Sequence, residues 1–185
     1  MVDGRTREGD RARDRERDRA RTDGRTRQRA DAIRAREKQG VGHAFTEHRD
    51  VTVRQLDRRV TSGVNARGRR EKVPVRDATR WHSDDALIRT ADAAWRSDAG
   101  RAARERQERK YRAGQLQRSE MKFTATVPLR DALGPEWRVQ VEGRSVTAVA
   151  GASRPTRFPD GTRGFACWRM GEDGRWYLVT CFPKP

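Results

Sequence analysis

Residues 164–183 read GFACWRMGEDGRWYLVTCFP. Two runs of aromatic, β-branched and sulfur-bearing residues flank Gly171-Glu172-Asp173-Gly174. That pattern predicts an antiparallel hairpin closed by a short glycine-containing turn. Pairing Gly171 with Gly174 puts Ala166, Trp168 and Met170 on one face of the first strand. On the second strand Trp176, Leu178 and Thr180 alternate with Tyr177, Val179 and Cys181. Large side chains on both faces predict a hairpin covered on both sides, at the centre of a sheet with the earlier helices packed on it. The same register sets Cys167 opposite Leu178 and Cys181 opposite Gly164. The two cysteines are then not cross-strand partners, which argues against a disulfide. Free buried thiols fit a reducing compartment.

Upstream of the hairpin, MKFTATV (121–127), WRVQV (137–141) and SVTAV (145–149) alternate with the period of a strand. Loops are expected at 128–136, 142–144 and 150–163. Helices are expected before these strands. In 43–60, Phe45, Val53, Leu56 and Val60 make a single apolar stripe, with Thr52 capping a helix from Val53 to about Thr61. Ser83-Asp84-Asp85 opens a second helix, its acids suited to the positive end of the dipole. Ala86, Leu87, Ile88, Ala91, Ala94 and Trp95 give that helix an apolar face. A very basic helix follows Gly100 and carries Tyr111 near its end. Helices first and antiparallel strands after predict an α+β domain.

The chain of 185 residues is one-third hydrophobic and 38% charged, with net charge +16. Residues 1–40 hold 14 basic and 9 acidic side chains, a net +5, so +11 remains for 41–185. The chain thus divides into a charged arm, 1–40, and a foldable domain, 41–185. The arm cannot bury a core and is expected to be disordered or a solvated helix, a linker or leader left from a larger architecture. The basic domain suggests a polyanionic partner. No run of about 18 apolar residues marks a transmembrane helix, and no membrane partner is expected. The N-terminus has no apolar segment of a secretory signal. Two cysteines and three histidines do not have the spacing of a zinc site, and no metal or cofactor is implied. The basic cluster Arg67–Lys72 is a solvated loop or a phosphate contact.

Three features taken together resemble a known family. They are GVGHAFTEHRDVTVRQLDRR (40–59), ATRWHSDDALIRTADAAW (78–95) and the terminal GRWYLVTCFP (174–183). In order and spacing they are similar to the bacterial RNase A-like toxin domains at the C-termini of contact-dependent growth inhibition proteins. The resemblance covers 41–185. It implies a ribonuclease that needs no metal and cuts tRNA or other cytoplasmic RNA by transphosphorylation to a 2′,3′-cyclic phosphate. Such chemistry uses a group that titrates near neutrality and donors for the phosphoryl oxygens. Carried over residue by residue, His48 matches the catalytic histidine, Arg59 the phosphate-contacting arginine and Thr180 the terminal hydroxyl. Phe182 stands where the family has Tyr, so it can stack on a base but cannot donate a proton. Arg49-Asp50 replaces Val-Gly beside His48.

His43 is then a second acid/base group, a substrate contact, or an exposed neighbour. Arg58 competes with Arg59 to face the site. His82 has a capping or loop role or lines the cleft, and Trp176 and Tyr177 are core or stacking surfaces. A toxin would act in the cytoplasm after delivery as part of a larger protein or as a stand-alone cassette. It would be expected to be a monomer with a cognate acidic immunity protein. The alternatives are a non-catalytic basic nucleic-acid-binding protein of a mobile element, and a degenerate toxin that binds without cutting.

Overall fold

Alternating arginines and acids build a long first helix, α1 (Gly4–Lys38), in a computed structural model that describes residues 4–73 and 75–185. Residues 1–3 of the arm and Pro74 lie outside the described residues. The arm is helical, but its last turns are not solvated. Ala30, Ile33, Arg34 and Glu37 recur at the spacing of one helix face. Ala30 is buried, Ile33 packs on the main core, and Glu37 is buried too. Arg34 reaches Asp50 at 3.0 Å and Asp84 at 2.8 Å, and Arg29 pairs with Asp92.

A short α2 (Ala44–His48) precedes α3 (Val53–Ser62). Thr52 caps α3 reciprocally with Gln55: Gln55 N donates to Thr52 Oγ1 at 3.2 Å, and Thr52 N donates to Gln55 Oε1 at 2.8 Å. Leu56 and Val60 pack with Val51 and Ala78 in a small separate core. Strand β1 (Asp77–Trp81) leads into α4 (Asp84–Arg96), whose Ala86 amide donates to Ser83 Oγ at 3.1 Å. The basic helix α5 (Asp98–Arg112) begins ahead of Gly100, because Ser97 caps it by accepting from Gly100 N.

Next come β2 (Lys122–Pro128), α6 (Leu129–Leu133), β3 (Val141–Val146), β4 (Ser153–Pro155), β5 (Arg163–Met170) and β6 (Trp176–Lys184). The fold is α+β, with two three-stranded antiparallel sheets, β1-β3-β4 and β2-β5-β6. Among the described residues no helix is long and apolar enough to cross a membrane.

Three expectations are corrected. The stretch WRVQV is a 3-10 segment, Pro135–Gln140, ending where β3 starts. Proline just past Gly134 favours a helical start, and exposure of 1%, 62% and 5% at Trp137, Val139 and Val141 breaks the period of two. One strand, β3, therefore replaces the two expected, and residues 142–144 lie within it. The loops expected at 128–136 and 150–163 carry α6 and β4. The hairpin register also differs. Met170 pairs with Trp176, Gly171 N donates to Arg175 O, and a bulge follows between Cys167 and Trp168. An extra residue on one strand shifts every pair beyond it. Cys167 consequently faces Thr180, and Cys181 faces Ala166; both thiols are free and buried.

Strand β5, not the hairpin as a whole, is central in its sheet. One face of that sheet (Phe123, Ala125, Ala166, Trp168, Cys181) packs on Leu87, Ile88 and Ala91 of α4. Phe123 and Trp168 stack at 4.8 Å. Burying a side chain the size of Leu87 or Phe123 contributes about 1.5–3 kcal/mol. Trp176 packs on this core, as expected of a core residue. The outer edge of β6 is closed by side chains of β1: Thr79 Oγ1 donates to Pro183 O at 2.6 Å and Trp81 Nε1 to Cys181 O at 2.9 Å.

Candidate functional site

The short α2 brings the first two histidines to β6. It is held at both ends. At its start Gly42 has φ +84°, and a Cβ there would stand 2.8 Å from Val179 O, so only glycine lets the chain pass. The next amide, His43 N, donates to Val179 O at 2.7 Å. From the other side, the Glu37 carboxylate accepts from Phe45 N at 2.7 Å and Thr46 N at 2.9 Å. Those are orphan donors of a helix start, and a carboxylate also suits the dipole there.

His43 and His48 thus lie close, with ring centroids 5.9 Å apart. His48 is 5% exposed and stacks on Phe182 at 4.9 Å. Its Nδ1 lies 3.3 Å from Thr79 O, which makes Nδ1 the protonated nitrogen and leaves the Nε2 lone pair free. Burial, then the positive charges of Arg59 and His43, push the His48 pKa down to about 3, against a small upward pull from Thr79 O. Burial also lowers His43, helped by Arg67 and Arg59 and opposed by Glu47 and Glu37. Thr180 shares a face of β6 with Phe182. It is 8% exposed, and its hydroxyl oxygen is buried without a hydrogen-bond partner.

The structure therefore brings together His43, His48, Thr180 and Phe182. Arg59 is near, but its guanidinium is engaged. Its Nε and Nη2 approach Glu71 Oε1 at 2.9 and 2.7 Å, and Nη2 lies 3.4 Å from Glu47 Oε2. Arg58 is exposed on α3. His82 is elsewhere, its Nδ1 donating to Val139 O at 2.9 Å and its Nε2 lying 3.4 Å from Glu142. Arg49 and Asp50, the departures beside His48, pair with Asp84 and Arg34.

Sequence reasoning missed Glu47, which is 5% exposed and accepts from Asn65 Nδ2 at 3.3 Å. It also left Arg67 undecided. That guanidinium donates to Gly42 O and to Thr46 Oγ1, the latter at 3.0 Å, and lies 3.8 Å from Glu47. The signal for Glu47 was its position inside His43-Ala-Phe-Thr-Glu-His48, one turn after His43.

Ligand atoms of His43, Glu47 and His48 all lie within 4.8 Å of one another, a spacing that suits a single divalent cation. Against that fit, Glu47 already balances Arg59 and Arg67, and two guanidinium charges oppose a dication. The donor set is better matched to proton transfer beside an anion. No family model matches the chain, and neither a curated protein nor a solved structure matches it.

Proposed function

We propose that this chain is a metal-independent endoribonuclease of the RNase A-like toxin kind, acting on tRNA or other cytoplasmic RNA. The observation that carries the reading is the meeting of His43 and His48 against Phe182 of β6, the strand whose same face holds the unpartnered Thr180 hydroxyl, in a chain of net charge +16. A polyanion is the natural ligand of such a charge. The histidines supply acid and base, and the hydroxyl supplies a donor.

His48 Nε2 takes the proton of a 2′-hydroxyl. The 2′ oxygen bonds to phosphorus as the bond to the 5′ oxygen breaks, and His43, the more open imidazole, protonates the leaving oxygen. The products are a 2′,3′-cyclic phosphate and a 5′-hydroxyl. An arriving phosphodiester adds negative charge and raises both imidazoles towards neutrality, where transfer is efficient. Thr180 donates to a phosphoryl oxygen. Arg59 acts through the field it contributes and by balancing Glu47. On this reading the producing cell needs an acidic immunity protein that covers the basic surface.

The test is total tRNA in EDTA with wild type, His43→Ala and His48→Ala. Wild type is expected to leave cyclic phosphate ends, and each variant to be slower by about 10²–10⁴. An arm with added Zn²⁺ separates proton chemistry from a cation at the same side chains: activation by zinc would replace this mechanism. The near-complete burial of His48 favours a second reading, a binding protein or degenerate toxin without turnover. Intact fold and no cleavage by wild type would select it.

A further inference from the structure

We infer that the outer face of the β2-β5-β6 sheet is a stacking platform for single-stranded RNA that leads to His48; the inference rests on the ribonuclease reading for the identity of the chain bound. The face opposite the core is set by register. Thr126 pairs with Phe165, and Phe165 with Phe182, so these three form one row across the sheet. The next row is Arg163 paired with Lys184. Phe165 and Phe182 are half-buried, while Arg163 and Lys184 are exposed.

The aromatic row is continuous with the site. Phe165 and Phe182 have centroids 4.9 Å apart, and Phe182 and His48 are again 4.9 Å apart. Arg163 is laid across the strands by its Nε, which donates to Thr126 Oγ1 at 3.0 Å. No acidic side chain stands on this face of the three strands; Glu172 and Asp173 belong to the turn at the far end from Arg163. The buried Thr180 hydroxyl, without a partner, stands on the same face.

Cations, hydroxyls and aromatic rings without carboxylates are what a single strand needs. Rings hold unstacked bases, and cations hold the backbone. A duplex hides its base faces and offers nothing to Phe165. A base lies on Phe165 with its phosphate at Arg163 and Lys184, and the scissile phosphate reaches His48 along the row past Phe182.

The experiment is fluorescence anisotropy with a short 2′-O-methyl RNA, which cannot undergo transphosphorylation. Binding therefore reads separately from cleavage. Phe165→Leu keeps an apolar side chain and removes the ring; affinity is expected to fall about ten-fold. Arg163→Gln and Lys184→Gln should each lower the slope of log K against log salt by about 0.7. These two surface variants carry the test if Phe165→Leu fails to fold. A duplex of the same sequence is expected to bind more weakly. Unchanged affinity and slope in all three variants, equal binding of the duplex, or no binding of the single strand would overturn the platform. Cleavage by wild type in the tRNA assay would then leave the ribonuclease reading standing. Variant-sensitive binding without any cleavage would keep the platform and sink that reading.

Discussion

The imidazole of His48 lies on the ring of Phe182, with centroids 4.9 Å apart and planes 27° from parallel. Phe182 therefore seals His48 as well as supporting it, and a depressed pKa follows from that seal. Phe182→Ala opens the ring to water, and the His48 pKa is expected to climb from about 3 towards the ordinary 6.5. Phe182→Tyr keeps the stack and leaves the pKa low. Titration of the imidazole resonances by NMR reads both. An unmoved pKa in Phe182→Ala would place the seal elsewhere, on the β1 side at Thr79. The alanine variant should also lose about 2 kcal/mol of stability, less than a fully buried phenylalanine would.

Acid should unfold the protein through the same histidine. Above pH 6.5 His48 is neutral in both folded and unfolded chains and contributes nothing to the pH dependence. Below 6.5 the unfolded chain binds a proton that the native state refuses until about pH 3. Stability therefore falls with pH across that window, by up to about 1.4 kcal/mol per unit. Between pH 7 and pH 5 wild type is expected to lose about 2 kcal/mol more than His48→Gln, which cannot titrate. Urea midpoints at the two pH values measure it. Parallel losses in both proteins would show that other groups dominate.

Local signals were legible and tertiary ones were not. Thr52 and Ser83-Asp84-Asp85 announce two helix starts because a cap is a short-range exchange between a side chain and nearby amides. The hairpin was legible, but its register was not, since a bulge at Cys167/Trp168 leaves the alternation of residue types readable in two ways. The docked face of α1 was hidden because two of its four residues, Arg34 and Glu37, are charged and find their partners only in the fold. At the site, His48 was legible as a candidate, but its pairing with His43 was not. Residues five apart do not share a helix face, and the turn at Gly42 that sets His43 against β6 is a tertiary contact. The engagement of Arg59 was not legible either: its partner Glu71 comes from a loop whose path no periodicity specifies.

Arg59 makes that engagement testable. Its guanidinium balances Glu47, which is 5% exposed. Arg59→Ala leaves a buried carboxylate short of one of its cations, and the expected loss is about 3 kcal/mol. A double variant, Glu47→Gln with Arg59→Met, removes both charges and should recover much of that loss. Thermal unfolding of wild type, Glu47→Gln, Arg59→Met and the double variant forms a cycle, and its coupling should stand well above experimental error. Additive losses would mean that Arg59 and Glu47 act independently.

The arm is tied to the histidines by one carboxylate. Glu37, near the end of α1, accepts from Phe45 N and Thr46 N and is itself 6% exposed. A helix of five residues does not persist alone, so α2 depends on this cap and on the bond from His43 N to Val179 O. Glu37→Ala leaves one buried and one part-buried amide without acceptors, at a cost of about 2 kcal/mol. Glu37→Gln keeps one carbonyl oxygen and should fall between. Hydrogen exchange at Phe45 and Thr46 is expected to quicken in the order wild type, glutamine, alanine, while exchange in β2 and β5 stays slow. With α2 loosened, His43 and His48 lose their placement over β6, and cleavage of tRNA should decline in the same order. Unchanged exchange at those two amides would show that α2 holds its shape without the Glu37 cap.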